Sequence, residues 1–222
     1  MLQASTCVVF DLDGTLADTS GDLLAAANAC FRAMGAGDML GPGDALVALN
    51  GGRAMLRLGM SRLGAVDEAE VDRWYPRLLE AYAGAICVHT RAYPGVPAAL
   101  ERLRREGHAL AICTNKPEGL AETLMREMGL RDLFAALVGA DTLPVRKPDP
   151  APYRLAVDRA GGAARSMILG DTETDHRTGR AAGVPVALVT FGHEGEAVAR
   201  LSPDALLRHF DDLPDLVARL LA

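Results

Sequence analysis

The sequence is poor in cysteine, has no excess of positive charge and contains no long apolar run. Its four cysteines form no C-x-x-C pair, which argues against the common zinc and redox motifs. Cys7 and Cys113 lie in apolar runs, where we expect buried free thiols. A formal net charge of −6 argues against binding of a nucleic-acid backbone on electrostatic grounds. Finding no membrane span and no signal peptide, we expect a cytoplasmic protein.

The 222 residues, half of them apolar, suffice for one α/β domain and a modest second one. Helical periodicity between short apolar segments predicts βαβ units, and so an α/β fold with a Rossmann-like parallel sheet and helices on both faces. Ligands of such sheets bind at the carboxyl ends of the strands. The predicted strands are residues 7–10, 109–113, 136–138, 167–169 and 186–189.

Residues 17–91 show no convincing strand and have helical spacing over 23–34, 52–63 and 68–85. One interpretation is an elaborate crossover between strands. We favour a helical cap inserted over the crevice, because a crossover in a compact domain needs far fewer residues. The predicted domains are therefore an α/β core of residues 1–16 and 92–222, and a cap of residues 17–91.

The strongest chemical signal is Asp11-Leu12-Asp13-Gly14-Thr15, directly after the first apolar segment. Asp11 and Asp13 can both turn toward the carboxyl edge of the sheet, where one attacks phosphorus and the other handles the leaving-group proton. Gly14 allows a sharp turn, and we expect the Thr15 hydroxyl to hold it. The alternative is an Asp/Gly-rich turn that only ends a strand.

A second carboxylate cluster, Asp171 to Asp175, follows the segment 167–169. Magnesium is usually held by one or two carboxylates together with substrate phosphate, so Asp11 and Asp171 predict a Mg²⁺ site. Asp175 lies where the next helix begins, and it either supports the site or only caps that helix.

Two further segments offer phosphate contacts. Thr114 and Asn115 follow a strand and precede a helix, where a hydroxyl and backbone N–H groups can cradle an oxyanion, although an N-cap would look the same. Lys147 precedes Pro148 and Pro150, which we expect to keep the segment extended and to fix the lysine. A lysine fixed there would offset charge on a transferring phosphoryl group.

Taken in order, DLDGT, Thr114-Asn115, Lys147-Pro148 and GDTETD resemble the four motifs of the haloacid dehalogenase-like hydrolase superfamily, and the helical insertion resembles its subgroup with a helical cap. The resemblance implies residue roles as follows. Asp11 is the nucleophile and a metal ligand, Asp13 is the acid/base with its carbonyl on Mg²⁺, Thr114, Asn115 and Lys147 bind phosphate, Asp171 is a metal ligand, and Asp175 supports the site.

Within that superfamily, relatives that cleave carbon–halogen bonds lack an acid at the position of Asp13, so its presence favours phosphate esters. The cap segment 49–53 and the segment 93–96 resemble phosphoglycolate phosphatases, which implies a small phosphorylated metabolite as substrate. We expect Arg53 to pair with a substrate carboxylate, the alternative being an exposed arginine. A phosphomutase of the β-phosphoglucomutase type and a non-catalytic binding relative remain open. We expect no nucleic-acid or membrane partner, and a monomer or homodimer.

Overall fold

The computed structural model describes residues 6–222. Two compact units divide the chain, one containing the described residues through Ala17 together with Ala92–Ala222, the other Asp18–Arg91. No helix within the described part is long and apolar enough to cross a membrane.

The first unit is built on a six-stranded sheet in which every pair of neighbours is parallel, in the order β5-β4-β1-β6-β7-β8. Its strands are β1 Thr6–Phe10, β4 Ala109–Cys113, β5 Ala136–Val138, β6 Arg165–Gly170, β7 Val186–Val189 and β8 Ala205–Leu207. Helices cover both faces, as the sequence predicts: α5 Val96–Arg105, α6 Glu118–Glu127, α7 Ala151–Arg159, α8 Glu173–Ala182 and α9 Leu213–Leu220.

β1 and β7 are buried along their whole length, and β4 and β6 beyond their first one or two residues, which explains why these strands read as continuous apolar runs rather than as alternating patterns. Cys7 and Cys113 are buried free thiols within these strands, as expected. β8 was not anticipated from the sequence. It is an edge strand that pairs with β7, and because it has three residues its apolar run is too short to stand out.

The second unit consists of helices whose core is apolar. Its helices are α1 Ser20–Ala33, α2 Ala45–Leu49, α3 Gly52–Arg62 and α4 Glu68–Gly84. Its largest fully buried side chains are Phe31, Met55, Leu56, Leu78 and Tyr82. Burial of these side chains contributes roughly 1.5–3 kcal/mol each.

Polar side chains fix the loops of the helical unit. Asn28 accepts hydrogen bonds from the backbone N–H groups of Met39 and Leu40 and donates to the Leu40 carbonyl, which holds the loop after α1. The buried carboxylate of Asp22 accepts from the N–H groups of His89 and Thr90 at 2.9 Å each, which ties the end of the unit to α1.

The expectation that residues 17–91 hold no strand needs a small correction. Ala17–Asp18 (β2) and Arg91–Ala92 (β3) pair as a two-stranded sheet at the two points where the chain passes between the units. Each strand has only two residues, which leaves no periodicity for a sequence pattern to reveal.

Candidate active site

The candidate carboxylates follow the two central strands of the sheet. β1 and β6 are in register with Phe10 opposite Leu169, so Asp11 and Gly170 lie at the same level. The N–H of Asp11 donates to the Leu169 carbonyl at 2.9 Å and extends the ladder past β1. β4 and β5, the next sheet strands along the chain, lie on one side of β1, whereas β6, β7 and β8 lie on the other, so the strand order reverses at β1. Open α/β sheets bind their ligands in the crevice at such a reversal.

The loop after β1 is a tight turn held by its own backbone. Gly14 has a φ of +84°, which residues with a side chain rarely adopt, and its N–H donates to the Ala17 carbonyl at 2.9 Å. The Thr15 hydroxyl does not hold the turn, contrary to our expectation. It donates instead to Asp171 Oδ1 at 2.8 Å and so orients a carboxylate of the neighbouring loop.

Three carboxylates meet at this edge of the sheet. Asp11, Asp171 and Asp175 each place an oxygen within 4.8 Å of the other two. Asp171 and Asp175 are buried, and Asp11 is nearly so. Gly170 permits this approach, because a Cβ on it would lie 2.3 Å from both Cβ and Cγ of Asp175. The sequence predicted Asp11 and Asp171 as metal ligands with Asp175 as a supporting residue or a helix cap, and the structure brings oxygens of all three together.

Lys147 lies between two of these carboxylates. Its Nζ is 2.9 Å from Asp11 Oδ1 and 2.7 Å from Asp175 Oδ1, with 2% of the side chain exposed. Burial alone would lower the pKa of Lys147, but Asp11 and Asp175 raise it well above its ordinary value, so the lysine stays charged. The side-chain amide of Asn115 donates to the Lys147 carbonyl at 3.1 Å and fixes its backbone.

The segment around Lys147 turns rather than running extended as the prolines suggested. The N–H of Asp149 donates to the Arg146 carbonyl at 3.0 Å and closes the turn. Proline constrains φ and the residue before it, and these constraints are compatible with a turn as well as with an extended chain.

Asp175 both supports the cluster and anchors the start of α8, the two roles left open by the sequence. Its Oδ1 accepts from Lys147, while its Oδ2 accepts from the hydroxyl of Thr172 at 2.8 Å and from the N–H groups of Thr172 and Asp171 at 3.2 and 3.3 Å. Both oxygens are therefore engaged by donors, which suits a supporting residue better than a metal ligand.

Burial raises the pKa of Asp11 from 3.8 to about 6; Lys147 opposes the rise, and the nearby charges of Asp175 and Asp13 add to it. Burial, together with Asp175 and Asp11, raises the pKa of Asp171 well above 3.8. Carboxylates crowded in this way are destabilised as anions, and a cation between them would relieve that cost.

The residues at this edge fit a divalent cation. Asp11 Oδ1 is buried, and apart from its ion pair with Lys147 Nζ at 2.9 Å it has no hydrogen-bond partner among the described residues. Asp171 offers a second carboxylate oxygen beside it. Hard oxygen ligands of this kind suit Mg²⁺, which is commonly held by one or two carboxylates.

Thr114 and Asn115 follow β4 on the other side of β1. Thr114 is buried, its N–H donates to the Val138 carbonyl at 3.0 Å, and its hydroxyl oxygen accepts from the N–H of Lys116 at 3.2 Å. The structure thus places Thr114 at the carboxyl end of β4, next to β1, and the Asn115 side chain holds the backbone of Lys147.

Sequence reasoning missed Lys116. Its Nζ lies 2.8 Å from Asp13 Oδ1, and only 4% of its side chain is exposed. A signal was available in the composition, since the chain has 23 basic residues of which only Lys116 and Lys147 are lysines. Both are buried at this edge of the sheet, whereas lysine is almost never fully buried unless it is paired.

Arg53 lies in the first turn of α3 in the helical unit. Its guanidinium forms an ion pair with Asp72 and lies over the ring of Tyr75, 4.3 Å from the ring centroid, with 43% of the side chain exposed. Such a contact holds a guanidinium in place while leaving part of it accessible. Its role toward a substrate carboxylate stays a prediction.

Comparison with known proteins agrees with the motif pattern. The sequence profile of the family described as haloacid dehalogenase-like hydrolase matches residues 8–189. A phosphoglycolate phosphatase of Mesorhizobium japonicum is 40% identical over 217 residues, covering 96% of each chain. A phosphoglycolate phosphatase of Cereibacter sphaeroides is 37% identical, covering 97% of this chain and 99% of its own.

Solved structures share the fold. The crystal structure of a predicted phosphoglycolate phosphatase from Haemophilus somnus superposes with a TM-score of 0.82, covering 98% of this chain and all of its own, at 24% identity. The match confirms the architecture expected from the alternation of strands and helices.

Proposed function

This chain belongs to the haloacid dehalogenase-like hydrolases, and we propose that it is a Mg²⁺-dependent phosphatase that attacks a small phosphorylated metabolite with Asp11. It is an enzyme of the phosphoric monoester hydrolase class, as its full-length relatives indicate. The proposed substrate is 2-phosphoglycolate, because those relatives are named phosphoglycolate phosphatase.

The observation that carries the proposal is the environment of Asp11. Its carboxylate lies at the reversal point of the sheet, and the ion pair with the charged Lys147 is the contact that its buried Oδ1 makes among the described residues. A carboxylate held in this way keeps an oxygen available for attack on phosphorus, and aspartyl-phosphates are an established intermediate of enzymes.

Asp11 and Asp171 are the proposed Mg²⁺ ligands, with the Asp13 carbonyl as a third. When bound, the cation neutralises phosphate charge and favours in-line attack. Lys147 offsets charge on the phosphoryl oxygens, and Thr114 and Asn115 contribute contacts at the end of β4. Asp175 holds Lys147 in place.

The proposed reaction has two steps. Asp11 forms a bond to phosphorus while the bond to the leaving oxygen breaks, and Asp13 gives that oxygen its proton. Asp13, now a carboxylate, then takes a proton from water, whose oxygen bonds to phosphorus as the bond to Asp11 breaks. An alkoxide needs this proton, so Asp13 suits phosphate esters.

The helical unit is the proposed cap, and Arg53 the proposed partner of a substrate carboxylate. Arg57 provides a matched control, because it lies on the same helix, is 45% exposed and pairs with Glu68. Arg53→Ala should raise KM for 2-phosphoglycolate about 10-fold or more, which corresponds to the loss of one charged hydrogen bond. It should have little effect on KM for a neutral phosphate ester. Equal effects of Arg53→Ala and Arg57→Ala would remove the assignment.

The function is tested by phosphate release from a panel of phosphorylated metabolites, with and without Mg²⁺, that includes 2-phosphoglycolate and hexose phosphates. A Mg²⁺-dependent preference for 2-phosphoglycolate supports the proposal. Broad, weak hydrolysis removes the substrate assignment alone. Interconversion of sugar phosphates identifies a phosphomutase, and binding without turnover identifies a non-catalytic relative.

A further inference from the structure

Lys116 is the second buried lysine of the site, and it contacts a different aspartate from the first. Lys147 pairs with Asp11 and Asp175, whereas Lys116 Nζ lies 2.8 Å from Asp13 Oδ1. The site therefore gives the proposed nucleophile and the proposed acid/base a lysine each.

The backbone of Lys116 is fixed on both sides of its side chain. Its N–H donates to the Thr114 hydroxyl at 3.2 Å, and its carbonyl accepts from the N–H of Ala140 at 2.9 Å. The Asp13 side chain is itself mostly covered, with 17% exposed. A buried ammonium is costly without a partner, so this contact restrains both side chains.

We propose that Lys116 is a positioning residue for Asp13, which it holds by one carboxylate oxygen so that the other carries the proton exchanged with the leaving group and with water. The inference rests on the proposed function.

The assignment of oxygens follows from the chemistry of the contact. An ammonium group only donates hydrogen bonds, so the oxygen that it engages, Oδ1, is the acceptor of this contact. The transferred proton is then placed on Oδ2. Lys116 takes no part in either proton transfer, so the balance of the two steps is unchanged. Without it, Asp13 samples orientations from which the leaving oxygen is not protonated.

The test compares two leaving groups. An alkyl phosphate such as 2-phosphoglycolate expels an alkoxide that needs a proton, whereas 4-nitrophenyl phosphate expels a phenolate that leaves without one. The measured quantity is kcat/KM, because it reports the steps through phosphoryl transfer to the enzyme and is independent of the later release of phosphate.

Lys116→Met should lower kcat/KM for 2-phosphoglycolate about 10²-fold, the lower range for loss of general acid catalysis. The loss for 4-nitrophenyl phosphate should be several-fold smaller. Lys116→Arg should recover part of the activity on 2-phosphoglycolate, since it restores the charged donor. On an Asp13→Asn background, Lys116→Met should cause little further loss, because the two residues act as one unit.

Equal losses on the two substrates, or an undiminished loss on the Asp13→Asn background, would show that Lys116 serves only the structure of the site. Circular dichroism checks that each variant folds, and Lys116→Gln, which keeps a neutral donor, replaces Lys116→Met if that variant does not. A wild-type enzyme inactive on both substrates would instead overturn the proposed function.

Discussion

Asp175 joins Lys147 to the loop after β6, and its replacement by alanine should destabilise the α/β core strongly. The variant removes a buried partner of Lys147 and leaves the N–H groups of Asp171 and Thr172 without their acceptor. Lys147 keeps Asp11, so the ammonium is not left wholly unpaired.

Removing one partner from a buried ion pair typically costs about 3–5 kcal/mol. Asp11 offsets part of this cost for Lys147, and the two N–H groups left without an acceptor add about 1–3 kcal/mol each, so a total in the same range is expected. For a unit of this size, 1 kcal/mol shifts Tm by about 2–4 °C. Asp175→Ala should therefore lower the Tm of the α/β core by about 6–20 °C. Far-UV circular dichroism measures the transition. Trp74, the only tryptophan, lies in the helical unit, so its fluorescence follows that unit separately.

Glu173→Ala is the matched control. Glu173 also lies in the first turn of α8 but is exposed, so its loss removes a favourable charge at the helix N-terminus without disturbing the buried network. That change should cost about 0.3–1 kcal/mol. If Asp175→Ala were no more destabilising than Glu173→Ala, the buried network would not hold the site together.

Two further predictions concern the two units separately. The raised pKa of Asp11 means that between pH 4 and 6 the folded wild type binds more protons than the unfolded chain, so its stability falls as the pH rises. Asparagine does not titrate and escapes this loss. In buffer without divalent cations, Asp11→Asn should therefore gain about 3 kcal/mol of stability relative to wild type as the pH rises from 4 to above 6. A pH-independent difference in denaturant unfolding would contradict it. In the helical unit, Asp22→Ala should lower the free energy of unfolding by about 3 kcal/mol, because it leaves two backbone donors and the Thr90 hydroxyl without their buried acceptor. Trp74 fluorescence measures this unfolding. Asp38→Ala, at an exposed position, is the control, and equal effects of the two variants would refute the assignment.

The sequence predicts what depends on local patterns. The buried strands appear as short apolar runs, and Asp11 and Asp171 each follow one, so a parallel sheet brings them to one edge whatever the details of packing. The family profile and the superposed structures confirm this architecture. The bounds of the long helices differ from prediction by a few residues, as for α1, which begins at Ser20.

Contacts between distant parts of the chain are what local patterns do not reveal. Thr15 and Asp171 are 156 residues apart, and Lys116 and Asp13 are 103 apart. No periodicity or motif spacing encodes these contacts. They arise only when β1, β4 and β6 pair in register. The composition offers one signal in advance, since only two of the 23 basic residues are lysines, and the structure shows that both are buried in such contacts.

The central claim is that Asp11 receives the phosphoryl group. Rapid acid quench during turnover of 2-phosphoglycolate with Mg²⁺, followed by mass spectrometry, tests it directly, with Asp11→Asn as the control. The account predicts that the peptide containing Asp11 gains the mass of one phosphoryl group, and that Asp11→Asn shows neither this adduct nor turnover. An unmodified peptide, together with Asp11→Asn activity within about tenfold of wild type, would contradict it.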